Sequence, residues 1–196
     1  MKKKLKISEY FIQLILVVLG VFLGILASEW NAAKNLENNQ KEVLKNIKTE
    51  IESNLEIVKS AQQNRTKFNK SLDSLYPLLT EDILKENLFD RNFYERFPNW
   101  RGIGDGQVSN AMFEMAKFSN MLSSMDIDIV SQLSKTYAVQ DALNKTRDTF
   151  LKKFFDFDSD AKYADALRLM WSIRQELGSY ENKLVNEYSK TLEMLR

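Results

Sequence analysis

The run from Tyr10 to Ser28, YFIQLILVVLGVFLGILAS, carries no charge and a single strongly polar interruption, Gln13. As a helix rising about 1.5 Å per residue it is roughly 28 Å long, close to the thickness of the hydrocarbon layer of a bilayer. That match makes residues 10–28 a transmembrane helix by expectation, with the lipid bilayer as the first partner of the chain. Nothing downstream is apolar enough to cross a second time.

The flanks give an orientation. Lys2, Lys3, Lys4 and Lys6 crowd residues 1–9, whereas Lys34 and Lys41 are the basic residues just beyond the run. This favours a cytoplasmic basic tail and an extracytoplasmic, periplasmic remainder at a bacterial inner membrane. Tyr10 and Trp30 then serve as membrane-interface anchors. A secretory signal peptide is the competing reading, but its apolar core runs about 7 to 15 residues and Ile25 stands where cleavage wants a small side chain. Within the run, Gly20, Gly24 and Ser28 form a stripe of small residues that lets two helix backbones approach closely, and Gln13 offers an amide for an interhelical hydrogen bond. These four residues are the candidates for transmembrane association. Glycine is also common in single membrane helices for no such reason.

The 28 basic and 27 acidic residues balance, so no strong field marks a nucleic-acid partner, and none is expected. The chain has no Cys and no His. Disulfides, thiol nucleophiles, imidazole acid–base catalysis and ordinary zinc sites are thereby excluded.

Neither Gly nor Pro occurs between Gly24 and Tyr76, and apolar residues recur there every seven. One row is Leu44, Ile51, Val58, Arg65 and Leu72; the other is Ile47, Asn54, Ala61, Phe68 and Leu75. These are the a and d rows of a heptad, predicting a long juxtamembrane helix over residues 29–76 with one seam. Continued from the apolar run, residues 10–76 make a rod of roughly 100 Å. Asn54 and Arg65 interrupt the seam as polar residues that set register or partner. Leu55 and Ile57 widen the stripe beyond two rows, which favours packing in a bundle of the same chain over a parallel coiled coil.

Pro77 should end the rod, and residues 77–196 should complete the bundle, forming one domain with 29–76. A short helix is predicted over 80–89. An aromatic, turn-rich link with Phe93, Tyr94, Phe97, Pro98, Trp100 and GIGDG follows, either a cap over the bundle end or a partner surface. Helix resumes near Ser109, pauses at SSMD, restarts with Asp126 or Asp128 as cap and runs to about Phe155; a last helix begins at Asp158 or Ser159. The fold class is all-α, an N-terminal transmembrane helix continuous with a long helix packed in an extramembrane helical bundle.

GVFLGILASEWN (20–31), VLKNIKTEIESNL (43–55) and MFEMAKFSNMLSSMDIDIVSQLSKTY (112–137) together resemble an uncharacterised family of small bacterial single-span membrane proteins. The resemblance implies an N-terminal span with Trp30-Asn31 at the membrane exit and a helical extracytoplasmic domain. It carries no activity. Members often have an acidic residue where Gln13 stands here, so no proton-linked role of the span is carried over.

Candidate chemistry is sparse. GIGDG has neither a preceding strand nor a following Lys-Ser/Thr, so it reads as a turn and not as a phosphate cradle. Asp156, Asp158 and Asp160 have calcium-loop spacing, but Ala161 and Leu167 replace the required Gly and Glu, so these aspartates are expected to cap helices. Glu50 with Asn54 and Glu37 with Lys41 have the spacing of solvated helix-surface pairs. No catalytic, metal or cofactor site is expected. The chain reads as a non-enzymatic scaffold or interaction module that forms a homo-oligomer or engages a membrane-protein partner. A pore-forming oligomer, such as an antiviral effector, and a ligand-sensing bundle that signals through a partner are the alternatives.

Overall fold

The computed structural model describes residues 7–103 and 105–196, with side chains from Tyr10 onward. The tail lysines Lys2, Lys3, Lys4 and Lys6, and Gly104 of the glycine turn, lie outside the described residues. Among those described there are six α-helices and no strand, so the all-α expectation holds. The chain divides into two units, residues 1–44 and 45–196.

Helix α1 (Ile7–Leu75) is unbroken across its whole length. In the first unit its side chains from Tyr10 through Asn39 are all exposed. It is the one described helix long and apolar enough to cross a membrane, with a mean hydropathy of 2.6 over its best window. A single 3-10 turn, Tyr76–Leu78, closes α1 as Pro77 removes the backbone donor a further α-turn needs.

In the second unit, α1 from residue 45 packs with α5 (Ile127–Phe155) and α6 (Tyr163–Met194). Ion pairs and amide contacts give the directions. Gln62 meets Asn182, Arg65 meets Glu181 and Asp73 meets Arg174, so α6 runs antiparallel to α1. Glu50 meets Tyr137 while Arg65 and Arg147 share Glu181, so α5 runs parallel to α1.

Two parallel helices need a return crossing, and the segment 99–112 supplies it. Asn99 bonds Ser71, Asp105 bonds Asn64, Ser109 bonds Asn54 and the Met112 amide bonds Glu50. From Ser71 back to Glu50 helix α1 descends about 32 Å at 1.5 Å per residue, a distance that 13 residues cover only when largely extended. This strap therefore takes the place of a fourth helix. At its lower end α4 (Ala111–Phe118) begins, buries Phe113 and Ala116, and stacks the Phe113 ring on Tyr137 at 4.2 Å.

The other end of the bundle is closed by α2 (Glu81–Lys85), α3 (Phe93–Arg96) and the link around them. The predicted helix 80–89 is shorter: Thr80 caps it from outside by accepting from the Ile83 amide, and the helix ends at Lys85, short of Phe89. The chain instead pairs with the α5–α6 turn: the Leu88 amide donates to Ala161 O at 2.8 Å, and the Tyr163 amide to Glu86 O at 3.0 Å. Phe97 and Trp100 are buried, which is the cap reading, while Tyr94 stays 67% exposed.

Helix α6 begins at Tyr163, four to five residues later than expected. The Asp158 carboxylate accepts from the Asp160 amide, and Asp160 lies outside any helix; Asp156 closes α5 instead. The expected capping role of the aspartates at the α6 start is therefore corrected: Asp165 accepts the Lys162 amide there.

Candidate functional site

The side chains named for association stand free in the first unit. Gln13, Gly20, Gly24 and Ser28 are exposed, and a Cβ placed on either glycine would meet no heavy atom within 4 Å. Tyr10 and Trp30 are 56% and 71% exposed, and the Lys34 ammonium lies 5.6 Å from the Trp30 ring centroid. Glu37 and Lys41 form the solvated pair that their spacing predicts, both side chains being well exposed. The lysine holds the Glu37 carboxyl below its ordinary range.

In the second unit the heptad rows become the core. Ile47, Ile51, Val58, Phe68 and Leu72 are buried, and Leu55 is half-buried while Ile57 is exposed, so the stripe is narrower than expected; Leu44, the last residue of the first unit, is half-buried. The two polar residues of the seam are each the start of a buried network.

Asn54 is 1% exposed, and its amide grips the backbone of Ser109 on both sides. Nδ2 donates to Ser109 O at 2.6 Å, and Oδ1 accepts from Ser109 N at 2.9 Å. Glu50, one turn earlier, is buried instead of solvated, which corrects its expected surface role. It accepts from Tyr137 Oη at 2.7 Å, Ser109 Oγ at 3.0 Å and the Met112 amide at 2.9 Å. Its place at the start of α4 also suits the positive end of a helix dipole. Gln140 completes the layer by donating to Ser109 O and accepting from Tyr188 Oη at 2.6 Å. Burial, and then the Glu50 carboxylate, push the Tyr137 phenol far up, and burial does the same to Tyr188.

Arg65 leads to the second layer. Its guanidinium forks onto Glu181, Nε to Oε2 at 3.0 Å and Nη2 to Oε1 at 2.6 Å. Arg147 approaches the same carboxylate at 3.4 Å and donates through Nη1 to Gly106 O at 2.5 Å. Glu181 is wholly buried and Arg147 is 5% exposed, so two guanidinium groups share one carboxylate in the core. Burial pulls the Arg147 pKa down against the opposing pull of Glu181. Gly106 sits at φ +84 with its α-carbon pressed on α1, where a Cβ would come within 2.6 Å of Ala61 Cβ.

A third layer joins Gln132, Thr136, Glu187 and Thr191 between α5 and α6. Lys135 at 2.8 Å holds the Glu187 carboxyl below its ordinary range.

What these layers do chemically is fix the register of α1 against the strap and α5–α6. The buried carboxylates of the first two layers, Glu50 on α1 and Glu181 on α6, are occupied by donors of the same chain. Of these groups the heptad pattern singled out Asn54 and Arg65 alone; Glu50, Glu181, Arg147 and Tyr137 carried no signal distinguishing them from surface residues. Comparison with protein-family models, with curated proteins and with solved structures finds no match.

Proposed function

We propose that the chain is a non-enzymatic, single-pass protein of a bacterial inner membrane that assembles with itself or with a membrane partner. Its N-terminus lies in the cytoplasm and its helical bundle outside. The observation that carries this reading is α1: one unbroken helix holds the uncharged apolar run 10–28 with every side chain exposed and, from Ile47 to Leu72, the seam of the bundle. An apolar surface of that length finds its low-energy environment in lipid. The open faces of Gly20 and Gly24 leave room for a second helix backbone. The resemblance to small single-span bacterial proteins points the same way. The absence of Cys and His, and the saturation of Glu50 and Glu181, support a role without catalysis.

The test is the mass of the detergent-solubilised protein by light scattering, wild type beside Gly20→Ile/Gly24→Ile. A defined oligomer that loses mass in the variant supports the span as an assembly device. A monomer in both removes self-assembly and leaves a different chain as the partner.

A further inference from the structure

The cap carries an apolar surface that the bundle does not use. A groove of about 270 Å³ is lined by Phe93, Trp100, Ile103, Leu151 and Phe154. Tyr94 and Phe155 flank it and stand 67% and 75% exposed. The surface is continuous through ring contacts: Phe93 meets Tyr94 at 6.2 Å and Phe154 at 5.3 Å, and Phe154 meets Phe155 at 6.0 Å.

We infer that this face binds the same face of a second copy of the chain, the proposal resting on the self-assembly reading above. Area is the first argument. At about 200 Å² per aromatic side chain, Tyr94 and Phe155 expose roughly 280 Å², and Leu151 with the half-buried rings brings this to roughly 400 Å². A standard interface covers about 800 Å² per partner, a little over half of it apolar. The cap therefore supplies an apolar centre of the right size for one such contact.

Shape and charge select a second copy as the occupant. A two-fold contact needs a surface complementary to itself, and here protruding rings stand beside an open groove, so each copy offers both a knob and a hole. The rim is balanced as well: exposed Arg91, Lys152 and Lys153 adjoin the patch in sequence together with exposed Asp90, Glu95 and Asp156. A strongly acidic or basic partner gains nothing from such a rim, whereas a rotated copy can set opposite signs together. A small ligand in so open a groove would leave both flanking rings in water.

The chain has no cysteine, so a single one reports proximity. Membranes carrying the full chain with Lys152→Cys, on the rim of the patch, are treated with a short bismaleimide, alone and combined with Tyr94→Asp or with Gly20→Ile/Gly24→Ile. The proposal expects a crosslinked dimer that Tyr94→Asp lowers about tenfold and that the span variant leaves in place, with helicity unchanged throughout. No crosslink at Lys152→Cys while Gly24→Cys crosslinks overturns the cap contact and leaves assembly through the span. A crosslink lost in the span variant and kept with Tyr94→Asp also overturns it. No crosslink at either position overturns this inference and the self-assembly reading together.

Discussion

Asn54 on α1 and Ser109 on the strap exchange a complete pair of hydrogen bonds, the side-chain amide of one standing in for a strand partner to the backbone of the other. The polar residue in the seam thus has a particular address 55 residues away. Asn54→Leu leaves the Ser109 amide without a partner in the core, and a buried unsatisfied group costs about 1–3 kcal/mol. Urea denaturation should show a loss in that range. In a plain coiled coil the same change would raise stability, and a gain would contradict the role assigned to the strap.

Glu181 holds two buried guanidinium groups. Glu181→Leu strands both, and removing one partner of a buried ion pair costs about 3–5 kcal/mol. The triple replacement Arg65→Met/Arg147→Met/Glu181→Leu should recover most of that loss, because no buried charge is then left unpaired. Thermal melts of the single and triple variants read the difference.

Gly102 and Gly106 both adopt positive φ, but they differ in what surrounds them. Gly102→Ala meets no neighbour within 4 Å and should cost only the left-handed backbone term, about 1–2 kcal/mol. Gly106→Ala adds a collision with Ala61 and with Arg147 Nη2, at 2.6 and 2.9 Å, and should cost clearly more. Ala61→Gly in the same chain should restore part of the difference, as read by denaturation midpoints.

The phenols of Tyr137 and Tyr188 are raised above their ordinary value by burial and, for Tyr137, by its bond to Glu50. The folded state therefore keeps protons that the unfolded chain releases above about pH 10. Their stabilising effect is complete below that pH and is lost progressively above it. Helicity by circular dichroism should fall as tyrosinate absorbance rises, in one shared transition. Tyr188→Phe should make the alkaline loss of stability shallower.

The seam of α1 was legible because burial along a helix follows its seven-residue period, and Ile47, Ile51, Val58, Phe68 and Leu72 obey it. The cap Asp126 was legible because its bonds are local. Glu50 was not, since a glutamate four places before a polar residue looks the same on a wet face as on a buried one; its donors Tyr137 and Met112 lie 87 and 62 residues away. The strap escaped for a related reason. Its extended backbone has no period of its own, and at Gly106, Ser109 and Met112 it is held through its own backbone groups, on which residue identity leaves little mark. At the start of α6 local chemistry misled, because Asp158 spends its carboxylate on a turn to Asp160 before the helix begins.

Whether α1 passes through a bilayer can be measured at single positions, because the chain has no cysteine. Val18→Cys lies mid-run and Ser60→Cys on the exposed side of α1 within the bundle. Cells expressing each variant are treated with a membrane-impermeant maleimide, intact and after lysis, and their membranes are washed with alkaline carbonate. With α1 spanning the bilayer and the bundle outside, Ser60→Cys labels in intact cells, Val18→Cys stays unlabelled until detergent is added, and both chains remain in the washed membranes. Free labelling of Val18→Cys without detergent, or release of the chain by carbonate, would contradict that arrangement.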